Sequence, residues 1–348
     1  MEEEVATSTA SPAPPRDQDS PPTPPSTSLW KTLTSQSAAN RRFDFLLDFE
    51  EVGSYGAMAV EENRRRSEMA LINPNDVAYL PLQHCFLVSE PTWNRIGIYE
   101  ADTFTFLRWL AHPDDHNNCS FNMPMSILSL TNGDVVILEK DRIWFLDSNL
   151  RGFQYKLGSF SGLAEGFAGE VFTLAHLRED GVYSIQKLVV GAKRKYWFDG
   201  QIKLHVIEHF PNRKHSKPRF IAHSNNKLFI TDIGINRFYV VDLCTGFQRA
   251  FGYFGSGEGQ FHKPAGIVCD DNGHLLIADR DNRRLLVFSE TGEFLKVAKE
   301  ETLRNNKLVL VQSIRRVKDF LMVVQMARRE NPVSGRVVCY KLTEKATG

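Results

Sequence analysis

The sequence predicts an all-β chain assembled from one repeated unit. Short runs of β-branched and aromatic residues alternate with turn signals such as Asp199-Gly200, Cys244–Gly246 and Glu290–Gly292, which is the pattern of short antiparallel strands. Apolar runs recur at near-equal steps along most of the 348 residues. No segment with a helical period is long enough to compete with this pattern. Together these observations predict an array of small, similar sheets.

The clearest copy of the unit lies near the C-terminus. Its glycine-rich segment, Phe251–Phe261, is followed by Pro264, by the apolar run His274–Asp279 and by the strand-like run Asn282–Phe288. A second good copy follows Pro218. Such a unit cannot bury both faces of its sheet alone, so a clear copy implies further copies along the chain.

One residue ahead of an apolar run marks the innermost strand of each copy. Proline holds this place in four copies, and spacing assigns it to an aliphatic residue in the other two. The marks fall at Pro74, Pro124, Val171, Pro218, Pro264 and Leu310. Near-equal steps between six marks predict six four-stranded blades arranged as a β-propeller.

The two ends of the chain predict how the ring closes. The last copy stops after its third strand, Arg336–Leu342, whereas a surplus strand, Phe43–Phe49, precedes the first copy. Pairing the two would close the ring and remove two exposed sheet edges. We therefore expect residues 41–348 to form one propeller. Residues 1–40, rich in Pro, Ser and Thr, cannot bury enough apolar surface to offset their ordering entropy, and they are predicted to be a disordered tail.

The segment from Phe251 to Phe288 resembles an NHL repeat, the glycine-rich loop and four-strand unit of one class of propeller. Across residues 43–342 the chain resembles the NHL domain of the TRIM-NHL family, without the zinc-ligand cysteine pairs of a RING or B-box and without coiled-coil heptads. The resemblance implies a binding platform that uses the loop-rich face of the propeller. It does not imply ubiquitin transfer by this chain on its own.

Composition narrows the partners and the compartment. The 42 Lys and Arg residues balance 42 Asp and Glu residues, so charge alone does not predict a nucleic-acid binder. The five cysteines show no Cys-x-x-Cys spacing, which favours reduced thiols. The sequence shows neither a secretory signal nor an apolar run of transmembrane length. We expect a cytoplasmic monomer without a membrane partner, and the nucleus stays open as a second location.

One group of loop residues predicts a binding surface on the loop-rich face. Spacing assigns Lys193–Lys195 to the middle turn of the third blade and residues 213–219 to the connection into the fourth. The predicted binding residues are Lys193, Arg194, Lys195, Arg213, Lys214, Lys217 and Arg219. Cations bordered by aromatic rings suit single-stranded RNA. Our first hypothesis is a protein-interaction scaffold and RNA binding is the second, while chance clustering of loop charges would explain the same residues without a function.

A metal-dependent enzyme of the lyase or lactonase type is the third hypothesis. Propellers of those types resemble this chain, and they place histidines or carboxylates on several innermost strands. The corresponding positions here are Asp76, Ser126, His176, His223 and Asp270. Two histidines fall short of a zinc site, which takes at least three protein ligands. No nucleophile motif is recognisable. We therefore expect no catalytic residues, no metal and no cofactor.

Two further patterns are assigned to structure. An acid and an arginine recur five residues apart in Glu90 and Arg95, Asp232 and Arg237, and Asp279 and Arg284. Because a catalytic site is built once and scaffolding is built in every blade, these are predicted to be hydrogen-bonded structural pairs. The glycines of Gly252–Gly259 lack the lysine and the helix of a phosphate-binding loop, and they are predicted to serve backbone conformation.

Overall fold

The computed structural model describes residues 44–55, 71–113, 120–176, 183–190, 196–204, 215–299, 309–317, 319–327 and 334–343. The strands of these residues form six antiparallel sheets, five with four strands and one with an additional short strand. The prediction of an all-β, six-bladed propeller is confirmed. The predicted tail, residues 1–40, lies outside the described residues.

The first three blades follow chain order. Two strands, β1 (Asp48–Tyr55) and β2 (Leu71–Ile72), precede them. Blade 1 contains β3 (Asp76–Leu80), β4 (Cys85–Glu90), β5 (Arg95–Glu100) and β6 (Phe106–Trp109). Blade 2 contains β7 (Ser126–Ser129), β8 (Val135–Leu138), β9 (Arg142–Leu146) and β10 (Gly152–Leu157). Blade 3 contains β11 (Phe160–Glu165), β12 (Val171–His176), β13 (Tyr183–Val190) and β14 (Tyr196–Leu204).

The last three blades follow in the same way. Blade 4 contains β15 (Pro218–Ser224), β16 (Lys227–Asp232), β17 (Arg237–Asp242) and β18 (Gln248–Phe251). Blade 5 contains β19 (Pro264–Cys269), β20 (Leu275–Asp279), β21 (Arg284–Phe288) and β22 (Phe294–Val297). Blade 6 contains β23 (Val309–Val317), β24 (Phe320–Ala327) and β25 (Ser334–Thr343), together with β1 and β2. Two short 3₁₀ turns lie at Pro91–Trp93 and Phe167–Gly169.

The inner strands line a central channel. Strands β3, β7, β11, β15, β19 and β23 contact one another in that order around the ring. The apolar core lies between neighbouring sheets. At the junction of blades 4 and 5, Phe238, Phe261 and Phe288 are fully or almost fully buried, and the centroids of Phe238 and Phe288 are 5.1 Å apart. Burying aromatic surface on both faces of each sheet is what makes neighbouring blades mutually dependent.

Strand β1 closes the ring by pairing antiparallel with β25, as predicted. The closing strand is Asp48–Tyr55, so its predicted position at Phe43–Phe49 was wrong. The residues just before β1 have other contacts: the Phe45 N–H donates to Asp270 Oδ2 at 2.8 Å, and the Phe45 ring is fully buried. A bulge before Gly53 keeps the ladder continuous to the end of the strand.

Blade 3 is the blade whose strands the sequence misplaced. Its inner strand is β11, and Val171 begins the second strand, β12. Strand β11 packs against β7 and β15, the inner strands on either side. No proline precedes this inner strand, so the prediction relied on equal spacing, and the spacing is unequal here. Residues 191–195, predicted to form the turn between the second and third strands, lie outside the described residues.

The ends of the strands define two faces. Inner strands begin, and second strands end, on the face that receives the connections between blades; this is the loop-rich face. Lys217 and Lys263 directly precede inner strands on it, and Phe247 lies in a third-to-fourth turn on the opposite face. Strand β13 ends on that opposite face. Lys193–Lys195 lie outside the described residues, so their predicted proximity to residues 213–219 stays a prediction.

The cysteines behave as the sequence predicted wherever the structure describes them. Cys85, Cys244, Cys269 and Cys339 are free thiols. Burial raises the pKa of Cys85 to about 11 and that of Cys339 to about 12, so both thiols are protonated and unreactive at neutral pH. Among the described residues, no helix has the length and apolar character needed to cross a membrane.

Candidate functional site

A buried carboxylate stands at the end of the second strand in four blades. Each accepts a backbone N–H from the chain that leads into the same blade. The donors are Ile72 to Glu90, Asn122 to Glu139 at 2.7 Å, Lys217 to Asp232 at 2.8 Å and His262 to Asp279 at 2.7 Å. Charge-assisted hydrogen bonds of this kind tie each incoming loop to its own blade.

Arginine completes this arrangement in two of the predicted pairs. Arg95 Nε lies 2.6 Å from Glu90 Oε2, and Arg284 Nε lies 2.8 Å from Asp279 Oδ2. In both pairs the carboxylate is fully buried, so the contact neutralises a charge that the interior could not otherwise hold. The structural role predicted for these two pairs is confirmed. Asp232 accepts a hydrogen bond from Ser216 Oγ as well as from backbone amides.

Arg284 also holds the glycine-rich loop of blade 5. Its guanidinium donates to the carbonyl oxygens of Ser256, Gly257 and Gln260 at 2.7 to 3.1 Å. Gly252, at the start of the loop, has a φ of 87°, in the region that residues with a Cβ rarely adopt. The loop backbone can therefore turn its carbonyls toward one cation, which confirms the conformational role predicted for these glycines.

Blade 3 departs from this arrangement. Its second strand ends at His176, which pairs with Tyr183 at the start of β13, and their ring centroids lie 4.9 Å apart. Blade 6 has Gln325 and Arg336 at the cross-strand position of the acid and the arginine, joined by a hydrogen bond of 2.9 Å from Arg336 Nε to Gln325 Oε1. The second strand of blade 3 thus ends with an aromatic pair, where four other blades have a buried carboxylate.

A charged pair joins the neighbouring inner strands of blades 1 and 6 beside the central channel. Asp76, fully buried at the start of β3, accepts a hydrogen bond of 3.0 Å from Arg315 Nε and a second from Arg315 Nη2. Ser126 Oγ and Ser313 Oγ donate to the same carboxylate at 2.6 and 2.8 Å. Arg315 also reaches the carbonyl oxygen of Leu163 in blade 3. The protein's own donors therefore saturate the channel carboxylate.

A second guanidinium, that of Arg219, lies beside this pair. Its Nη2 donates to Asn75 Oδ1 at 2.9 Å, an oxygen that accepts another hydrogen bond from Gln312. Burial lowers the pKa of Arg219 to about 10, the nearby Arg280 also lowers it, and Asp76 opposes the shift. Since Asp76 already binds Arg315, one carboxylate serves two guanidinium groups.

A cavity of about 330 Å³ opens beside Arg219, between blades 2, 3 and 4. Its polar wall is made of Ser126, Ser159, Ser161, His176, Tyr183, Lys217 and Arg219. Phe160 and Phe220 belong to its apolar wall, and none of the described lining residues is acidic. Because His176 and Tyr183 line it, the cavity lies where blade 3 departs from the acid and arginine arrangement.

Two of the predicted binding residues, Lys217 and Arg219, meet at this cavity. The other five, Lys193, Arg194, Lys195, Arg213 and Lys214, lie outside the described residues. Sequence reasoning missed Arg315 as the partner of Asp76, because the two residues are far apart in the chain and neither belongs to a repeated pattern.

The residues considered as metal ligands do not converge. His176 ends the second strand of blade 3, so its predicted place on an innermost strand was wrong. His223 does lie on an inner strand, β15. Asp270 accepts backbone N–H groups of its own turn on the opposite face. Of the five positions, Asp76 and Ser126 contact each other, and they do so by a direct hydrogen bond.

Two clusters of histidine and carboxylate side chains occur elsewhere among the described residues. They are Asp44, Asp270 and His274, and His84, Glu100 and Asp102. In the first, His274 Nδ1 lies 2.9 Å from Asp270 Oδ2. In the second, His84 Nε2 lies 3.0 Å from Asp102 Oδ1. Contacts within the protein explain both clusters.

Comparison with known proteins agrees with the repeat and with the fold. The NHL repeat family matches residues 261–288. The E3 ubiquitin-protein ligase TRIM71 of Mus musculus is 36% identical over 201 residues, which cover 54% of this chain and 23% of that protein. The protein lin-41 of Caenorhabditis elegans is 38% identical over 64 residues, 18% of this chain and 6% of that protein. The matched part is thus less than a quarter of either relative.

A solved structure of a gluconolactonase from Xanthomonas campestris shares the architecture. Its TM-score is 0.55 at 14% sequence identity, over 79% of this chain and 89% of that chain. At this identity the likeness shows the fold alone. The chain is a six-bladed β-propeller in which residues 261–288 match the NHL repeat, and it is similar over part of its length to TRIM71 and lin-41.

Proposed function

We propose that this chain is a non-catalytic binding platform whose loop-rich face binds another protein. The contact between Asp76 and Arg315 carries the proposal. A metal-dependent propeller enzyme needs carboxylates or histidines in the channel that are available to an ion or to a substrate proton. Here the buried channel carboxylate is neutralised by a guanidinium and saturated by two hydroxyl donors, which supports a structural use of the channel.

The side chains of the loop-rich face support the binding role. Trp93, Met123, Tyr253 and Phe254 are between 41% and 66% exposed there. Aromatic and methionine side chains are enriched in the cores of protein interfaces. Exposed apolar residues such as Phe247 occur on the opposite face too, but the cavity with its cations opens beside the channel on the loop-rich side.

RNA binding is the second candidate, and the cations at the cavity favour it. Lys217 and Arg219 lie together beside aromatic rings, a combination that suits a phosphate and a stacked base. The other predicted cations, Lys193, Arg194, Lys195, Arg213 and Lys214, lie outside the described residues and stay a prediction.

Two matched phenylalanines distinguish the candidates. Phe254 is 66% exposed on the loop-rich face, and Phe247 is 63% exposed on the opposite face. Each is replaced by a photo-crosslinking phenylalanine analogue in the full chain, and adducts formed in cells are identified by mass spectrometry. We expect protein adducts at position 254 that excess unmodified chain competes away, and none at position 247.

The other outcomes are equally informative. Adducts at position 254 that disappear on nuclease treatment would replace the protein partner by RNA. Equal labelling at both positions, or no labelling at either, would contradict a platform on the loop-rich face.

A further inference from the structure

The cavity of blade 3 combines enclosure with uncompensated positive charge. Arg219 is half-buried in its wall and Lys217 is exposed at its edge. The hydroxyl group of Ser159 adds a hydrogen-bond donor, whereas those of Ser126 and Ser161 donate to Asp76 and to the carbonyl oxygen of Pro218. No carboxylate belongs to the part of the lining that the structure describes. This lining offers donors and positive charge without a counter-charge of its own.

The charge of Arg219 is poorly balanced within the protein. Its hydrogen bond to Asn75 Oδ1 has a neutral acceptor, and Asp76 is already bound twice by Arg315. Burial lowers the pKa of this guanidinium to about 10, the neighbouring Arg280 lowers it further, and Asp76 offsets only part of the shift. The planar fork of a guanidinium fits a group with two acceptor oxygens, such as a carboxylate or a phosphate.

The size of the cavity limits the kind of molecule that can supply the bound anion. Its volume of about 330 Å³ is at the small end of the range for ligand pockets, about 300–1,000 Å³. A nucleic-acid strand is held by cations that follow its backbone over several nucleotides. Among the described residues of this wall, the two cations, Lys217 and Arg219, instead line one small cavity. One side chain of a bound segment fits this geometry better than a strand of RNA.

We propose that the cavity binds an anionic side chain from an extended segment of a partner protein, either a carboxylate or a phosphorylated tyrosine. Its oxygens would meet Lys217 and Arg219, and its stem or ring would lie against Phe160 and Phe220. The inference rests on the proposed function, because it names the chemistry by which the platform recognises its partner.

Fluorescence anisotropy with the full chain tests this assignment. Three labelled ten-residue peptides share an uncharged sequence and differ at the centre, which holds three glutamates, one phosphotyrosine or one tyrosine. We expect an anionic peptide to bind and the tyrosine peptide not to bind, with affinity falling as salt rises. Lys217→Glu is expected to weaken binding by about tenfold or more, since it places a like charge at the edge of the cavity.

Lys263→Glu is the matched control. Lys263 precedes Pro264 at the start of β19 as Lys217 precedes Pro218 at the start of β15, on the same face. We expect this variant to bind as the wild type does. Arg219→Lys retains the charge but removes the fork, and it is expected to lose less affinity than Lys217→Glu. Thermal melting verifies that each variant is folded.

Three results would overturn the inference. Equal weakening by Lys217→Glu and Lys263→Glu would indicate a diffuse charge effect. Binding of a ten-nucleotide single-stranded RNA, with both anionic peptides unbound, would assign the cavity to RNA. If neither anionic peptide binds while the competed protein adducts at position 254 persist, the cavity assignment fails and the platform stands; loss of those adducts as well would refute both.

Discussion

Blades 5 and 3 have the same strand order, but blade 5 uses its charged side chains to hold its own loops, whereas blade 3 leaves a cavity beside its second strand. In blade 5, the cross-strand pair Asp279 and Arg284 is buried and holds both the incoming chain and the glycine-rich loop. In blade 3, the second strand ends at His176, which pairs with Tyr183, and a cavity opens beside them. Where the scaffold uses its charges internally, little remains for a ligand. Where the internal pair is missing, polar groups and space are left over.

This difference teaches where to look for function in a repeat protein. The most regular repeat identifies the fold because its side chains serve structure. The least regular repeat has lost that constraint, so its departures are the better guide to binding. Three predictions test how far the comparison holds, beginning with the largest expected effect.

Arg284→Met tests whether the blade 5 pair is structural. The change removes a guanidinium that is 4% exposed and leaves Asp279 buried without its counter-charge, so we expect a loss of about 3–5 kcal/mol in the free energy of unfolding. Chemical denaturation measures it. The matched variant Arg316→Met removes an exposed pair with Asp271 and is expected to cost about 1 kcal/mol or less. Similar losses in the two variants would break the comparison.

Gly162→Ala tests the inner strand of blade 3. Gly162 has a φ of 65°, and a Cβ added there would lie 2.6 Å from the carbonyl oxygen of Arg219 in blade 4. Backbone strain and this close approach together are expected to cost roughly 2–4 kcal/mol. Gly246→Ala is the control, because its φ of 71° is similar but its Cβ would meet nothing within 4 Å. About 1 kcal/mol is expected there. Equal costs would argue against β11 as the packed inner strand.

His223→Phe tests the junction of blades 3 and 4 by pH. His223 lies against the rings of Phe167 and Phe172, and burial lowers its pKa below the ordinary value of 6.5. The folded protein thus binds this proton less tightly than the unfolded chain, and the associated stability, present above pH 6.5, is lost as pH falls through the folded-state pKa. We expect His223→Phe to reduce the loss of melting temperature between pH 7.5 and 5.

The corresponding position at the junction of blades 4 and 5 serves as the comparison for the expected pH dependence of stability. Cys269 occupies there the position that His223 has in blade 4, since each pairs with the first apolar residue of its second strand. Burial raises the pKa of that thiol, so it stays uncharged across the same pH range. An unchanged pH dependence in His223→Phe would show that the titrating group lies elsewhere.

The fold could be predicted because its signals are local. Pro218, Pro264 and the acid and arginine pairs each act within one blade, so a short window of sequence contains both partners. Blade 3 was misplaced because Ser159 and Phe160 stand where other blades have a proline, and equal spacing then put the inner strand at Val171. A prediction based on such local residues fails without any sign in the sequence when those residues are replaced.

The candidate site could be predicted only in part. Lys217 and Arg219 were recognised as cations near aromatic residues. The pairing of Asp76 with Arg315 joins residues 239 positions apart, and a single sequence has no signal at that distance. The cavity itself depends on the mutual placement of three blades. It follows from packing, and composition and spacing do not predict it.

The pairing of β1 with β25 also determines when the ring can close during synthesis of the chain. Strand β1 is made near the beginning and β25 at the end, so at about 5–20 residues per second the first strand waits roughly 15–60 s for its partner. In that interval the finished blades can form only an open arc, whose edge strands are available to chaperones and proteases. A chain interrupted before Ser334 would never seal that arc. Ring closure thus requires that translation has passed β25.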